Sequence, residues 1–597
     1  MPENIKNAVL PEILAPAGSA AAFSAALDAG ADAVYLGGLG FNARAGAANF
    51  SPDALRDAVD TAHAKGVKVY LTLNTLVYDR EIKDFLKAAE SAYLAGADAL
   101  IVADLGGAAA LRRVFPDLPL HASTQMSGHN VAAAEVLAEA GFSRMVLARE
   151  LSRENIAEFT KRSPIEAEVF VHGALCMCHS GQCLFSSVVG GRSGNRGECA
   201  QPCRLPYGTP GGKSYPLSLK DLSLAQYVPE LIDMGVASLK IEGRMKPPEY
   251  VYAVISTWRK LLNERRGATP EEMRYLADVF SRSGFTDGYY TSSISHNMLG
   301  IRTDADKNRT SALKTDRKSC ASAKEPIVTP ERTHRAEEYT PVSPEGKRKK
   351  IRTAYFHDPW QYTPRAKAFF DTAFIPLEKY ARAVKDGNAP AGVALPPVIP
   401  DSEVGDVRKL LAAAKKAGAT DALVGNIGHI SLAKEAGLIP HGDFRLNVCN
   451  AETVAAVEKL GVADVILSPE LTLPRIRDLR GDSRVMVFGR IPLMITEKCA
   501  GRECGGCRSC DAGKNFLVDR MGKRFPVLRV RDHRSMIVNC LPTYMGDKPD
   551  ALSAAHVTGE HYIFTSETPK EVDTVIRSVQ TASALTLPGG CRRIPQK

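Results

Sequence analysis

The residues best suited to chemistry in this chain are its cysteines. Five of the 13 fall within 28 residues, at Cys176, Cys178, Cys183, Cys199 and Cys203, and four more fall within 12, at Cys499, Cys504, Cys507 and Cys510. Thiolates are soft ligands that suit iron–sulfur clusters and zinc. Four of the first five can surround one cluster, with Cys178 the natural surplus. Gly181, Gly190, Gly191, Gly194 and Gly197 permit the close backbone approach this needs. Spacing does not separate iron–sulfur from zinc here, and inert buried thiols are the reading without chemistry. In the second group, Cys499-x4-Cys504-x2-Cys507 echoes a plant-type ferredoxin spacing, whereas its two close Cys-x2-Cys steps suit structural zinc. A structural metal is expected there, zinc or a second cluster.

The compartment bears on this reading. The segment Met1–Leu10 lacks the apolar core of a signal peptide, and no apolar run approaches bilayer-spanning length. The chain is expected to be cytoplasmic, with no membrane partner and with thiols kept reduced, which favours metal or redox chemistry over a disulfide framework. A formal charge of +9 is mild for 597 residues. Much of the excess lies in residues 301–353, including Lys347-Arg-Lys-Lys350. Such a tract attracts phosphate backbones by counterion release or serves as a solvated linker.

These residues need a scaffold. From Pro11 to about Asn263, short apolar runs alternate with amphipathic segments closed by Ala-Gly-Ala-Asp turns at Ala29–Asp32 and Ala95–Asp98. Ser51-Pro52 marks a helix start. Repeated βα units predict a parallel sheet covered by helices. Their number fits an α/β TIM-type (β/α) barrel better than an open sheet. Nine strand-like runs exceed eight by one, so one belongs to an inserted hairpin. Barrel chemistry lies at the C-terminal strand ends, where this chain has Asn74, Arg149, His172, Glu242 and Arg244. The first cysteine group fills the long loop after His172. His172 suits an acid or base, or a structural histidine. Arg44, near Asn49, suits an anionic substrate, or is a plain surface arginine. Gly38-Leu-Gly40 resembles a dinucleotide fingerprint, but no helix opens before Ser51, so no nucleotide cofactor is assigned.

Residues 1–295 are thus expected to form the catalytic barrel, residues 296–350 a disordered basic linker, and residues 351–597 a second, smaller, diverged barrel-like α/β domain. The second half repeats the first. Met145-Val-Leu-Ala-Arg-Glu150-Leu corresponds to Val465-Ile-Leu-Ser-Pro-Glu470-Leu, and Val169–Gly173 to Val485–Gly489. In the second copy Phe488 replaces His172, and no cysteine matches Cys176.

His172-Gly-Ala-Leu-Cys176, Ser180-Gly-Gln-Cys183, Gly191-Arg-Ser-Gly-Asn-Arg-Gly-Glu-Cys199 and Ala200-Gln-Pro-Cys203-Arg204 closely resemble the signature of peptidase family U32. So do Ser218-Leu-Lys-Asp221, Lys240-Ile-Glu-Gly-Arg-Met-Lys246 and Phe285-Thr-Asp-Gly-Tyr-Tyr290. The resemblance covers residues of about 10–310, and residues 440–540 look like the C-terminal part of longer bacterial members. It implies a four-iron, four-sulfur cluster and either collagenase-like peptidase activity or oxygen-independent hydroxylation of RNA, with prephenate as hydroxyl donor. The wording of residues 190–207 is most similar to the branch that forms 5-hydroxycytidine in 23S rRNA. Cys176, Cys183 and Cys199 match family cluster ligands. Some relatives draw the fourth from farther downstream, where this chain has Glu242, and Cys203 is taken instead. On the hydroxylase reading, His172, Glu242 and Arg244 are the catalytic candidates, and Arg44, Asn49, Asn74 and Lys246 bind substrate, the cations through charge-assisted hydrogen bonds. The second domain and basic linker would grip RNA. The alternatives are a peptidase using a cysteine beside His172 or His179 and a non-catalytic iron–sulfur, RNA-binding accessory protein.

Overall fold

Eight parallel strands close into the expected barrel: β1 (Glu12–Ala17), β2 (Ala33–Gly37), β3 (Lys68–Leu73), β4 (Ala99–Val102), β5 (Leu120–Ala122), β6 (Phe142–Val146), β7 (Glu166–Ala174) and β8 (Ser238–Ile241). Strand β8 pairs with both β7 and β1. The computed structural model describes residues 9–312, 319–342, 350–479, 484–511, 514–587 and 590–591. Ser51 caps the helix Pro52–Ala64 by accepting from the Ala54 amide at 3.2 Å. Gly96 ends the helix Ile82–Ala95 at φ 88°, a left-handed turn that costs glycine nothing. The surplus run is Tyr215–Lys220, which is loop. The adjoining Asp221–Ser223 pairs antiparallel with the end of β7. At the N-terminal end of the barrel, wholly buried Glu168 pairs with Lys240 at 2.5 Å and Arg144 at 3.4 Å, and Arg144 also holds Glu12. Buried charges persist only when paired, and this network closes the barrel floor.

The second half repeats the architecture with β9 (Ile351–Phe356), β10 (Thr372–Pro376), β11 (Gly392–Ala394), β12 (Asp421–Val424), β13 (Ile439–Gly442), β14 (Arg484–Gly489) and β15 (Gly559–Phe564). These run parallel in the order β13-β12-β11-β10-β9-β15-β14. Single bridges from Gly442 to Val465 and from Ile466 to Arg484 continue the curl. In both copies the strand before the long excursion carries a glycine of positive φ at or next to its end, 105° at Gly173 and 142° at Gly489. A short antiparallel strand then meets it, Asp221–Ser223 or Thr543–Tyr544. The second cysteine group therefore lies in the same excursion of its own barrel as the first. The two excursions merge in one antiparallel sheet, where Val518 pairs with Gly208.

The barrels meet about an approximate two-fold axis. Asn130 caps the helix Val131–Glu139 and donates to the Ile399 carbonyl at 2.8 Å. Asn450 caps the helix Ala451–Lys459 and donates to the Val77 carbonyl at 2.8 Å. Gly428 packs on Asn130, and Gly106 on Asn450, each so closely that a Cβ would lie 2.5 Å from the amide oxygen. Asn450 also donates to buried Asp104 at 3.0 and 3.1 Å. Asn450→Ala should therefore cost about 2–4 kcal/mol, by removing a cap and a charge-assisted donor. Asn130→Ala, which faces only a carbonyl, should cost about half that. Hydrogen exchange at the first turn of each helix measures both.

Within the segment expected to form a free linker, the described residues 319–342 instead form a strap on the first barrel. Cys320 N–H donates to the Asp28 carbonyl at 2.7 Å and Ile327 N–H to the His63 carbonyl at 2.9 Å. Arg332 reaches the Tyr93 and Ala97 carbonyls at 2.9 and 3.0 Å. These are backbone and cationic contacts, which leave no apolar periodicity to read. Lys347, Arg348 and Lys349 lie outside the described residues. Among the described residues, no helix is long and apolar enough to cross a membrane.

Candidate active site

A cavity of about 140 Å³ opens at the C-terminal ends of the first barrel's strands, where barrel enzymes keep their chemistry. Arg44, Asn74, Glu242 and Arg244 all line it, with Tyr35 and Phe170 as aromatic walls. The five cysteines of the first group form its outer side. Met494, from the second half of the chain, also lines it.

Glu242 pairs with Arg44 at 3.0 Å. Burial works to raise its carboxyl, but Arg44, Arg149 and Lys246 together hold it below the ordinary carboxylate range. Arg244 donates to Thr72 Oγ1 at 2.7 Å and Asn42 Oδ1 at 3.4 Å, and burial pushes it down to about 10. Asn74 accepts from the Ala43 amide at 3.0 Å and so fixes the loop that carries Arg44. Arg149 also belongs to the site. Its guanidinium lies 3.9 Å over the Phe170 ring, with Nη1 3.9 Å from Cys176 Sγ, and its buried Nε has no partner. Only its place just after β6 could have singled it out in the sequence.

Three candidates stand elsewhere. His172 is buried between Tyr250 and Phe285, with ring centroids 6.3 and 5.1 Å away. Neither ring nitrogen has a partner, and burial pushes it down to about 3, so it is neutral. Strand alternation from Phe170 would aim it into the barrel, but the β7–β8 register shifts between Lys240 and Ile241, and such a bulge re-aims side chains. Asn49, at φ 53°, donates to the Ala47 carbonyl at 3.1 Å and folds its own loop. Lys246 lies outside the cavity, over the Phe280 ring.

The cysteines divide by environment. Cys183 is lowered by a hydrogen bond from Cys178, against burial, with help from the Phe185 and Ser186 amides. Cys178 is 2% exposed and raised by burial and by Cys183. It also accepts from Ile495 N–H at 3.3 Å. Cys178 is thus a donor behind Cys183. Burial raises Cys199 and takes Cys203 to about 12, and each feels the charge of Cys176 and Cys183. Gln201, in the left-handed region at φ 55°, turns its N–H to Cys199 Sγ at 3.3 Å, the kind of hydrogen bond that tunes cluster thiolates. Gly194 lies where a Cβ would stand 4.0 Å from Cys199 Sγ. Among the described residues, no three His, Cys, Asp or Glu side chains are drawn in to single-ion spacing. Cys176, Cys183, Cys199 and Cys203 line one cavity, and thiolates are the donor type that suits an iron–sulfur group.

The strip Cys178–Leu184 is bound to the second half. His179 N–H donates to the Ile495 carbonyl and Leu184 N–H to the Leu493 carbonyl, both at 2.9 Å. The buried His179 ring sits 3.4 Å from Glu150 and 3.2 Å from Glu497. Burial opposes its charge, but the two carboxylates raise it to about 9. In the second cysteine group, Cys499 Sγ and Cys510 Sγ flank Gly501, 3.6 and 3.5 Å from where its Cβ would stand. Burial takes Cys504 to about 12, and the side chain of Cys507 lies outside the described set.

Known proteins resemble this chain over part of its length. It is 41% identical over 289 residues to a protein of Escherichia coli (strain K12) named 23S rRNA 5-hydroxycytidine synthase, covering 47% of this chain and 43% of that one. It is 39% identical over 269 residues to the tRNA hydroxylation protein P1 of Bacillus subtilis (strain 168), covering 42% and 63%. It is 37% identical over 311 residues to a collagenase of Porphyromonas gingivalis (strain ATCC BAA-308 / W83), covering 47% and 73%. The match spans about half the length of the first two. The family profile matches residues 18–299 and 361–515, which take in most of the first barrel, part of the second and both cysteine groups. The chain belongs to peptidase family U32.

Proposed function

We propose that this chain hydroxylates RNA without oxygen, in the cytoplasm, forming 5-hydroxycytidine in 23S rRNA with prephenate as donor. In this reading Cys176, Cys183, Cys199 and Cys203 hold a four-iron, four-sulfur cluster. The carrying observation is that four thiols and three guanidinium groups, of Arg44, Arg149 and Arg244, line one cavity. With Glu242 already paired to Arg44, Arg149 and Arg244 remain to hold the carboxylates of a small dianion such as prephenate. Tyr35 and Phe170 give the cavity aromatic walls against which Arg149 and Arg244 are set. A target base must leave its stack to reach such a pocket. When bound, the cluster would supply thiolate-held iron beside the donor. The chain's own residues do the rest: the arginines orient the carboxylates, Asn74 sets the loop that carries Arg44, and Glu242 keeps an ionised acceptor inside. Cys499, Cys504, Cys507 and Cys510 are proposed to hold a structural metal, zinc or a second cluster.

The collagenase relative makes peptidase activity the second reading. Against it, His179, the histidine beside the cysteines, is held charged by two carboxylates and is a poor base, and His172 does not line the cavity. Anaerobic purification with iron, sulfide and zinc analysis, followed by nucleoside mass spectrometry of rRNA from a deletion strain, tests the proposal. Brown, iron-bearing protein and rRNA lacking 5-hydroxycytidine are expected. Colourless, iron-free protein, or unchanged rRNA, would sink it.

A further inference from the structure

Just outside the cavity, several cations crowd one aromatic ring. The Arg302 guanidinium lies 4.2 Å and that of Arg282 5.7 Å from the Phe280 centroid, with the Lys246 amine over the same ring. Two carboxylates face this group, each with an arginine partner. Asp221 is paired with Arg282, and Glu242 with Arg44. Among the described residues, Arg302 donates only to Thr310 Oγ1, at 3.2 Å, and its buried Nε has no partner. Among the described residues, Lys246 has no carboxylate within ion-pair distance, and its other neighbours are the Tyr250 ring and neutral His172. Two basic side chains set against the same ring therefore have no ion-pair partner of their own among the described residues.

We propose that Lys246 and Arg302, set on the Phe280 ring, form a phosphate-binding subsite for the RNA backbone, next to the nucleotide whose base enters the cavity. The proposal rests on the RNA reading above and adds where the backbone lies. Lys246 follows cavity-lining Arg244 by two residues, a span of at most about 7 Å, of the order of one nucleotide step. It is only partly buried, so the pair faces a rim that a polymer can cross rather than a closed pocket. An Arg fork beside a Lys point charge suits phosphate oxygens. The state of Lys246 agrees. Burial pushes it down to about 7, with Arg282 and Arg302 adding to the effect against Glu242 and Asp221. An incoming phosphate would restore its proton.

The test is fluorescence anisotropy of the full chain with a short labelled oligocytidylate across a salt series. Lys246→Gln and Arg302→Gln should each weaken binding and flatten the slope of log K against log salt by about 0.7. Lys246→Arg should keep the slope. Lys409→Gln, on an exposed helix of the second half, should change nothing. Wild-type affinity should fall as pH rises above about 7, because binding there requires proton uptake, and Lys246→Arg should abolish that fall. If wild type binds but both glutamine variants keep its slope, the subsite is wrong and the RNA reading stands. If wild type neither binds the oligonucleotide nor supports 5-hydroxycytidine formation, the RNA reading fails and takes the subsite with it.

Discussion

Cys203→Ala is expected to strip the protein of cluster iron on anaerobic isolation, with loss of its brown absorbance and of the hydroxylated nucleoside together. Cys178→Ala is expected to keep its iron and bind it about 10–100-fold more weakly, the usual cost of losing a partner behind a ligand. The contrast follows from the environments of the two thiols. Cys178 is fully buried, donates to Cys183 and is pinned by Ile495 N–H, so its sulfur already has two partners. Cys203 lines the cavity and senses the charges of Cys176, Cys183 and Cys199. Iron per chain, measured for both variants under identical anaerobic conditions, decides the matter. Wild-type iron in Cys203→Ala would place the fourth ligand elsewhere, and equal losses in the two variants would undo the division drawn between them.

His179→Ala should loosen the cysteine loop by about 3–5 kcal/mol, the cost of leaving buried charge without its partner. Glu150 and Glu497 would face each other with the shared cation gone, although Arg534 still holds Glu497 at 2.6 Å. The amides of His179 and Leu184, which tie this loop to the second half, should exchange a hundred-fold faster or more, since about 1.4 kcal/mol is a factor of ten. The wild-type protein carries a pH signature of the same contact. His179 rises from 6.5 to about 9 on folding. Its contribution is therefore fully present below pH 6.5, declines above that value and is lost as pH rises through about 9. Protection that stays flat from pH 6 to 10 would show that the histidine does not carry this contact.

The barrel was legible because its strands are buried on both faces and its helices carry their own start and stop residues, Ser51 and Gly96 among them. The cavity was legible where identity and strand-end position agreed, as at Arg44, Asn74, Glu242 and Arg244. It was illegible where geometry overrode pattern. One register shift beside Val171 turns His172 into an aromatic nest, and nothing in the alternation of β7 announces it. The match between the two cysteine excursions was hidden because they differ in length, so position within the fold aligns them while residue counting does not. The strap over the first barrel escaped notice because main-chain amides and Arg332 hold it, and a polar sequence bound that way reads like one bound to nothing.

The contact between the barrels has a consequence for ancestry. Asn130 and Asn450 play one part on opposite sides, as do Gly428 and Gly106, so the joint is self-complementary in the manner of a two-fold dimer. It is the joint expected where two copies of a single-barrel protein met as equals and were later written into one chain. Such a single-barrel protein would present its Gly106 and Asn130 counterparts on one open face and would pair with itself. Fusion fixes the stoichiometry at one of each and releases the second mouth from duplicate service. There Arg445 now stands where the first barrel has Gln125, and Phe488 where it has His172. The second barrel, no longer a copy, becomes a resident partner whose strand Pro492–Thr496 closes the first barrel's cavity.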